Sequence, residues 1–509
     1  MHRRTLIQLF AAASCAGLFP PLLRAETGAA PKVGGTLKIA LMGLDTSDPH
    51  RHSGSISVQQ VYVETLTSVA NDGTVKPFLA ERFEVSDDGK VFTFYLRDNV
   101  QFHNGRTMTA QDIKANLERV RDKVSAGWLS TSMKLVDTIS VTSPLTIRIE
   151  LKESFAPLLN LLSELWIVAP ESEGWDETIR HPIGTGPFTF GTWQANQRFY
   201  APAFKQYWQA GLPYLDAVDF DLRGDRDNSL SLRSGDLHVA YVNNERLPSL
   251  RSDNVEVQFL GDTSWYFMSF NNRKPRSLLQ DVRVRQAIAL SIDKSAYMSF
   301  IGGQEALISN QLTRPQTFYW DQALEQRDTF ARPNLAQARA LLQSAGVDPA
   351  QHTLKVVSWQ ADYAQVAVQM VRELGFKIEH QALDDIGAQR ALAQYDWDLA
   401  PFHSGPRADV YLRYARLQSQ GPSPMLWGGI QDAELDRLIA QAVDAPSASV
   451  ARERYLGAWQ HVMDRLYTLG IGHSADAIGV AANVHGYQTG FTWSQNRVDS
   501  GLARTWLSA

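Results

Sequence analysis

A short segment of the chain contains four side chains that suit the binding of a charged solute. They are His403, Arg407, Asp409 and Tyr411, within the sequence HSGPRADVYLRYARLQSQGPSPMLW of residues 403–427. The planar guanidinium of an arginine suits a bidentate pair with a carboxylate, so Arg407 is a candidate for holding a solute carboxylate. The alternative is a surface ion pair between Arg407 and a neighbouring acid, which would have no role in binding.

Motifs that would support catalysis are incomplete in this sequence. Residues 291–294 spell S-x-x-K, but the S-D-N and K-T-G partners of that hydrolase motif are absent. Residues 472–476 read GHSAD and lack the second glycine of a nucleophile elbow. The sequence also has no Walker motif, HExxH, G-x-G-x-x-G or cysteine–histidine metal cluster. We therefore predict a protein that is not an enzyme and needs no cofactor.

Two histidines, His50 and His52, lie in the polar stretch DTSDPHRHSGS of residues 45–55. Metal sites in proteins combine several histidine, cysteine or carboxylate ligands in a defined geometry. No such set of carboxylates or thiols surrounds these two histidines in the sequence. We therefore expect solvated histidines in a loop and no metal site.

Aromatic residues are numerous, with 13 tryptophans and 16 tyrosines. Most of them are expected in the core, but a protein that binds a solute in a cleft also uses several as apolar walls. Besides Tyr411, the candidates for such walls are Trp265, Tyr266, Trp359 and Trp128.

The first 25 residues, MHRRTLIQLFAAASCAGLFPPLLRA, have the pattern of a cleaved secretion signal, with a basic start, an apolar run and a small residue at the end. Arg3-Arg4 also resembles the start of a twin-arginine signal. A membrane anchor is the alternative, but Pro20-Pro21 and the short apolar run argue against it. The only cysteine, Cys15, lies in this segment, in a poor match to a lipoprotein box, so we predict a free periplasmic protein.

Charge and length narrow the class of protein further. The chain has 509 residues and a formal net charge of −5. Removal of residues 1–25, which contain three arginines and no acid, would leave a net charge of about −8. An acidic protein of this kind is a poor partner for nucleic acid or an anionic membrane. No later segment approaches the ~18 apolar residues of a membrane span.

The alternation of apolar residues predicts the elements that position the candidate site. Residues 334–403 alternate between strands and helices, which indicates parallel pairing with right-handed crossovers. Ligands of such sheets bind beyond the carboxyl ends of the strands. The strand predicted at Trp397–Phe402 ends directly before His403, so the sequence places the candidate residues at such an end.

A second well-defined stretch is residues 77–121, PFLAERFEVSDDGKVFTFYLRDNVQFHNGRTMTAQDIKANLERVR. Val91–Leu96 alternates as a half-buried strand, and the turn Asp87–Lys90 joins it to a strand at 82–85. Thr109, three residues before Asp112, caps the helix that follows. We also predict helices at 58–66 and 156–165 and paired strands at 136–141 and 146–151.

The motifs in this stretch resemble those of one family, the extracytoplasmic solute-binding proteins of ABC importers, family 5, the dipeptide/oligopeptide/nickel group. The matching residues include the run from LAERFEVSDDGK to HNG and the later TAQDIK, and three further segments resemble the family: HPIGTGPF at 181–188, YWQAGLPYLD at 207–216 and DVRVRQAIALSIDK at 281–294. The resemblance covers essentially the whole chain after the signal.

The resemblance implies an α/β, two-lobed periplasmic-binding-protein fold of type II, in its large three-domain variant, with a ligand cleft between the lobes. Its expected division is a signal peptide, lobe I, an extra domain attached to lobe I, and lobe II, at 1–25, 33–54 with 182–264 and 476–509, 55–181, and 265–475. The implied partners are a solute and an ABC permease with its ATPase, and the protein is expected to act as a monomer.

The resemblance also locates the solute contacts in residues 403–427. Family members that bind peptides carry here an aspartate for the α-amino group, in a context like G-D-N-G-D-P. In this chain Gly405 falls near that position, and Asp409 aligns with the later D-P, with Val410 in place of the proline. This difference leaves a peptide-like or other small solute as the first interpretation. Binding of a nickel chelate is the alternative within the family, favoured by His403 and Arg407.

Two interpretations from other classes remain at this point. A secreted hydrolase would need the catalytic set that the sequence lacks. A receptor that delivers its ligand to a sensor instead of a permease would have the same sequence features.

Overall fold

The structure, a computed structural model, describes residues 30–41, 43–51, 56–124, 129–223, 228–250, 255–302, 306–359 and 362–508. The chain forms two compact units: unit 1 comprises the chain up to Gly261 together with Asp476–Ala509, and unit 2 comprises Asp262–Ala475. The predicted lobe II, 265–475, differs from unit 2 by three residues at its start. The predicted lobe I and extra domain both fall in unit 1, and their separation remains a prediction.

The strands are, in chain order, β1 (Thr36–Ala40), β2 (Glu64–Thr65), β3 (Thr67–Val69), β4 (Val75–Pro77), β5 (Ala80–Val85), β6 (Val91–Leu96), β7 (Val136–Ser143), β8 (Thr146–Leu151), β9 (Trp166–Ile167), β10 (Thr192–Gln194), β11 (Arg198–Pro202), β12 (Ala217–Asp221), β13 (Val239–Val242), β14 (Val255–Phe259), β15 (Ser264–Phe270), β16 (Ala306–Ile308), β17 (Thr353–Trp359), β18 (Lys377–Leu383), β19 (Leu399–Ser404), β20 (Thr468–Ser474), β21 (Ala477–Ala481), β22 (Val484–His485) and β23 (Trp506–Leu507).

The α-helices are α1 (Ile56–Gln59), α2 (Ala110–Glu118), α3 (Ser130–Met133), α4 (Leu158–Leu161), α5 (Asn228–Ser234), α6 (Leu247–Leu250), α7 (Val282–Ala289), α8 (Lys294–Gly302), α9 (Gln322–Glu325), α10 (Leu335–Ser344), α11 (Asp362–Arg372), α12 (Asp385–Ala393), α13 (Val410–Tyr414), α14 (Ala433–Val443) and α15 (Ala448–Arg465). None of the helices in the described ranges is both long enough and apolar enough to cross a membrane.

Unit 1 contains a seven-stranded sheet in the order β10-β11-β12-β1-β13-β21-β14 and a four-stranded sheet in the order β5-β6-β8-β7. In the larger sheet β1 lies parallel to β12 and β13, and the other pairs are antiparallel. The smaller sheet contains the predicted hairpin: β5 pairs antiparallel with β6, and Phe92, Phe94 and Leu96 are buried. The predicted strand pair at 136–151 is confirmed by β7 and β8.

The helix after the hairpin begins as predicted at Thr109. Asp112 Oδ2 accepts hydrogen bonds from the backbone N–H of Thr109 at 2.8 Å and from its hydroxyl at 3.0 Å. An aspartate therefore completes the capping box at the position where glutamate or glutamine is usual.

Two predicted helices are much shorter in the structure. Helix α1 ends at Gln59 instead of reaching residue 66, and helix α4 covers only Leu158–Leu161 of the predicted 156–165. Glu64–Thr65 pairs antiparallel with Trp166–Ile167, so a long-range strand pair takes the end of the first apolar run and begins directly after the second. Tertiary pairing overrides local helix preference here.

Unit 2 contains a six-stranded sheet in the order β16-β20-β15-β19-β17-β18. Strand β17 lies parallel to β18 and β19, as the alternation of 334–403 predicts, and β15 runs antiparallel to β19 and β20. One face of this sheet packs on helices α7, α8, α10 and α11 through a core that includes Met268, Phe270, Val284, Leu342 and Val368. Asp281 caps α7 as predicted, since its side chain accepts from the Arg283 N–H.

A buried carboxyl, that of Glu64, contacts two of the segments on which the family resemblance rests. Glu64 accepts hydrogen bonds from the Tyr207 hydroxyl at 2.6 Å, the Thr185 hydroxyl at 2.9 Å and the Trp208 indole N–H at 3.0 Å. Burial raises the pKa of Glu64 to about 7, although these donors act in the opposite direction. The contacts are those of a structural centre within unit 1.

Candidate functional site

The strand order of unit 2 brings the candidate residues to one edge of its sheet. Strands β17 and β19 are parallel, so their carboxyl ends at Trp359 and Ser404 lie at the same edge. Strand β15 is antiparallel to both β19 and β20, and its first residue, Ser264, pairs with Ser474 at the end of β20. We call this the C-terminal edge of unit 2, defined by Ser264, Trp359, Ser404 and Ser474.

His403 lies at this edge in a cage of aromatic rings. Its Nδ1 is 3.1 Å from the Tyr363 hydroxyl, and its ring centroid is 5.3 Å from that of Tyr266 and 5.0 Å from that of Trp359. Burial lowers the pKa of His403 to about 4, because removal from water disfavours the charged imidazolium. The neutral ring offers one donor and one acceptor at pH 7. The structure therefore brings together three of the predicted residues, His403, Tyr266 and Trp359.

Trp265 is on the opposite face of strand β15 from Tyr266, and its predicted role as a wall of the solute site stays a prediction. Its side chain is fully buried. The indole stacks on Phe267 at 4.6 Å and on Trp427 at 5.8 Å between ring centroids, and Trp459 meets it edge-on. Successive strand residues point to opposite faces, so Tyr266 and Trp265 cannot both face His403. Trp128, the remaining aromatic candidate, lies outside the described residues.

Arg407 and a second arginine, Arg413, meet at Asp262 directly before β15. The backbone N–H of Arg407 donates to Asp262 Oδ2 at 2.9 Å, and Arg413 Nη2 donates to the same oxygen at 2.5 Å. Arg413 Nη2 also donates to the carbonyl of Thr263 at 2.7 Å. Arg413 is buried, and its Nη1 is a buried nitrogen with no hydrogen-bond acceptor.

The sequence interpretation missed Arg413 and Asp262. Arg413 lies on the helix α13 that follows the candidate segment, six positions beyond Arg407. The run Tyr411–Leu417 is mainly apolar and aromatic, and this composition could have revealed Arg413. A charged residue in such a run must find a partner when the helix is buried. Asp262 comes from a distant part of the sequence, and only the sheet brings it near.

Asp409 acts as the N-cap of α13. Its Oδ1 accepts from the Tyr411 N–H at 2.7 Å. Burial raises the pKa of Asp409 to about 6, and that single hydrogen bond offsets only part of the shift. Burial, together with the charge of Asp409, raises the pKa of Tyr319 and Tyr455. Tyr411 is buried beside it.

The metal interpretation of His50 and His52 can be examined only for His50, because His52 lies outside the described residues. His50 Nε2 is 2.9 Å from the Trp166 carbonyl, and its Nδ1 is 2.7 Å from Arg119 Nη1. Arg119 in turn forms a bidentate pair with Asp48, at 2.7 and 3.1 Å. His50 is thus part of a buried ion-pair network, and the described residues contain no group of three or more histidine, cysteine, aspartate or glutamate side chains that could hold a metal.

The polar groups of the C-terminal edge are suited to holding a small charged molecule. A neutral imidazole, a buried arginine with a spare donor and a carboxyl with one hydrogen bond lie beyond the carboxyl ends of parallel strands, where ligands of open α/β sheets bind. The fold and this edge define a binding protein of the type II periplasmic class.

Comparisons with known proteins agree with that class. A family model described as bacterial extracellular solute-binding proteins, family 5 Middle, matches residues 74–420. The chain is 27% identical over 360 residues to a glutathione-binding protein, GsiB, of Salmonella paratyphi A, covering 68% of each chain.

Two solved structures share the fold at low sequence identity. One is the oligopeptide-binding protein AppA of Bacillus subtilis, solved with a nonapeptide: TM-score 0.84, 18% identity, 94% of this chain and 100% of that one covered. The other is the ABC transporter-associated periplasmic binding protein DppA of Helicobacter pylori, solved with the peptide STSA: TM-score 0.82, 20% identity, 94% and 98% covered.

The chain belongs to the bacterial extracellular solute-binding proteins of family 5, and its function is solute binding. The predicted family and the predicted α/β, type II periplasmic-binding-protein fold are both confirmed.

Proposed function

We propose that the protein binds a small peptide-like solute through a free carboxylate, held by arginine at the C-terminal edge of unit 2. The observation that carries this proposal is the buried Arg413, whose Nη2 is fixed by Asp262 and Thr263 while Nη1 has no acceptor. A buried donor without a partner costs free energy, and a ligand carboxylate supplies the missing acceptor. Arg407, joined to the same aspartate, is the second candidate for that role.

Asp409 supplies the opposite charge for an amino group of the solute. Its carboxylate accepts a hydrogen bond from the Tyr411 N–H, and burial raises its pKa to about 6. An ammonium group close to a carboxylate stabilises the charged form and lowers its pKa again. The relatives support such a solute, because their names and bound molecules are glutathione and peptides.

The aromatic cage at His403 gives the site apolar walls. Tyr266, Trp359 and Tyr363 surround the neutral imidazole, and this combination favours an uncharged part of the solute at that point. Burial of apolar solute area contributes about 25 cal/mol per Å² to the binding free energy.

The first experiment is thermal unfolding of the purified protein with a panel of solutes: glutathione, dipeptides, tetrapeptides, an opine, and nickel with and without histidine. A solute at ~100 times its dissociation constant adds about 2.7 kcal/mol to the free energy of unfolding. We expect glutathione or a short peptide to raise the midpoint. Each peptide is compared with its C-terminal amide, which we expect to bind about tenfold more weakly or worse, because the arginine loses its charged acceptor.

Variants of the protein test the same charge contacts by changing the binding residues instead of the solute. Arg407→Ala and Asp409→Asn are expected to weaken binding of the best peptide, whereas Arg437→Ala serves as the matched control, because Arg437 pairs with Glu434 on the surface of unit 2. Equal affinity for the acid and the amide would contradict the carboxylate proposal. A shift with nickel and histidine, and none with peptides, would favour a metal chelate instead.

The proposed function also includes the export of the protein, its location and its transport partners. The family is one of extracellular binding proteins, which supports export by a signal at residues 1–25 with cleavage near Ala25, by the general or the twin-arginine route. The signal lies outside the described residues. We further propose that the protein acts as a monomer in the periplasm, performs no chemistry on its solute, and delivers it to the permease and ATPase of an ABC importer.

A further inference from the structure

Arg497, in unit 1, is a buried arginine with almost no internal partners. It is 6% exposed. Its Nε donates to the Ser500 hydroxyl at 2.6 Å, and this is its side chain's only hydrogen bond to the described residues. Both Nη1 and Nη2 are buried and have no hydrogen-bond acceptor within the described ranges. The neighbouring Asp499 is exposed, and no carboxylate in the described part of the chain forms an ion pair with Arg497.

An uncompensated guanidinium in this position has a high energetic cost. Removal of a charged group from water without a partner costs several kcal/mol even after relaxation, and buried arginines in proteins are normally paired. The direction of the pKa shift agrees, because burial lowers the pKa of Arg497. A group of this kind calls for an acceptor that does not belong to the described chain.

The backbone around Arg497 is firmly held, so the guanidinium is fixed in place before any partner arrives. The side-chain amide of Asn496 donates to the carbonyl of Gln60. The backbone N–H of Gln495 donates to Gln60 Oε1 at 2.6 Å, and the Gln495 side chain donates to the Tyr487 hydroxyl at 2.5 Å. The bond from Nε to Ser500 leaves the two Nη nitrogens as the unoccupied side of the fork. Such preorganisation reduces the entropy cost of binding.

We propose that Arg497 is an oxyanion-binding residue of unit 1 that binds a carboxylate by donating hydrogen bonds from both Nη nitrogens. A carboxylate fits the spacing of the two nitrogens and forms two charge-assisted hydrogen bonds with them. The oxyanion has two conceivable sources, a carboxylate of the transported solute or a free anion. The first source rests on the proposed function, whereas the second is independent of it.

The test is thermal unfolding and calorimetric titration of the full protein with four probes: glutathione, glutathione diethyl ester, citrate and inorganic phosphate, at constant ionic strength. The wild type is compared with Arg497→Met, which keeps the length of the side chain without its charge, and with Arg497→Lys, which keeps the charge without the fork. The matched control is Arg504→Met, because Arg504 lies in the same terminal segment and donates to the Val498 carbonyl and to Gln209.

We expect at least one carboxylate probe to bind the wild type about tenfold more tightly than Arg497→Met, with Arg497→Lys between them and Arg504→Met within about twofold of the wild type. Binding of glutathione but not of its diester identifies the solute as the source, and binding of citrate or phosphate alone identifies a free anion. Without any probe, Arg497→Met should unfold at the same temperature as the wild type or higher, because it removes an uncompensated charge.

Two results would overturn the inference. One is that each of the four probes binds the wild type and Arg497→Met with equal affinity, or that no probe binds either protein. The other is a drop in the unfolding midpoint of probe-free Arg497→Met as large as that of a paired buried arginine such as Arg119→Met. If Arg497→Met does not fold, Arg497→Lys and the comparison of acid with ester still decide. The proposed function is decided by Arg407→Ala and Asp409→Asn and this inference by Arg497→Met, so the two proposals fail separately.

Discussion

Two buried arginines, Arg413 in unit 2 and Arg497 in unit 1, show how differently the same side chain is used in one chain. Arg413 has an aspartate, Asp262, and a backbone carbonyl as acceptors for one nitrogen, and one nitrogen is left over. Among the described residues Arg497 has only a serine hydroxyl as acceptor, and both terminal nitrogens are left over. Arg413 therefore has a structural ion pair with one spare donor, whereas Arg497 has two spare donors, for which we propose an external anion.

The buried Arg119 is the third arginine of this comparison, and each nitrogen of its guanidinium has a hydrogen-bond acceptor. Its guanidinium donates to both carboxylate oxygens of Asp48 and to the carbonyls of Trp175 and Glu177. The contrast among the three arginines teaches that burial alone does not reveal function. The count of unsatisfied donors separates a residue that supports the fold from one that awaits a partner.

The largest effect is expected for Arg119→Met. Loss of the guanidinium leaves Asp48 charged and buried, so we expect the free energy of unfolding to fall by about 3–5 kcal/mol. Urea denaturation measures this change, and Arg497→Met is the matched comparison with a buried arginine that has no carboxylate partner. A loss below about 1 kcal/mol for Arg119→Met would contradict the distinction between buried arginines with and without a carboxylate partner.

A somewhat smaller loss is expected for Asp262→Asn, which turns the environment of Arg413 into one like that of Arg497. The variant removes the charge partner of Arg413 but keeps the Thr263 carbonyl, so we expect a loss of about 2–4 kcal/mol in urea denaturation. Asp499→Asn is the control, because Asp499 is exposed beside Arg497 and forms no ion pair with it. Similar losses in both variants would mean that Asp262 has no special role.

The third prediction concerns the pH dependence of stability and contrasts these arginines with a buried acid. The pKa of Glu64 is about 7 in the folded protein, against 4.5 for an ordinary glutamate. Between these values the folded state binds more protons than the unfolded chain, so stability falls as the pH rises from about 4.5 to 7. The expected contribution is on the order of 1–3 kcal/mol, discounted from the full shift.

Glu64→Gln should remove this part of the pH dependence, because a neutral amide has no proton to lose. Glu171→Gln is the control, since Glu171 is exposed and its pKa is lowered by Arg106. Unfolding by urea at several pH values between 4 and 8 measures the difference. An unchanged slope in Glu64→Gln would show that Glu64 titrates as an ordinary carboxyl.

The smallest effect is expected for Arg437→Ala, which breaks an exposed ion pair. Arg437 and Glu434 are 2.6 Å apart, and both side chains are about half exposed. Water and salt screen such a pair, so we expect a change within about 0.5 kcal/mol by urea denaturation. A loss similar to that of Arg119→Met would mean that exposure does not govern how much these ion pairs contribute to the free energy of unfolding.

Much of the fold could be predicted from the sequence, and the failures share one cause. The hairpin β5–β6, the cap at Thr109 and the strand–helix alternation of 334–403 depend on local patterns, and the structure confirms them. The helices predicted at 58–66 and 156–165 are wrong, because β2 and β9 pair with each other. A pair between residues a hundred positions apart leaves no local trace.

The candidate site divides in the same way. The sequence located the polar segment at 403–411 and the edge where strands end, because chain order and parallel pairing follow from periodicity. It could not tell on which face of the sheet Trp265 lies, because that depends on register, and it missed Asp262 and Arg413.

The sequence by itself determined the family and the type II binding-protein fold, since these depend on motif order and local pattern, and it predicted a segment for solute contacts. Only the tertiary structure decided which charges are satisfied. The carboxylate acceptors of Arg413 and Arg119 come from distant positions, and the described residues offer no acceptor for the Nη nitrogens of Arg497. Such hydrogen-bond geometry in a buried environment exists only after the sheets have assembled.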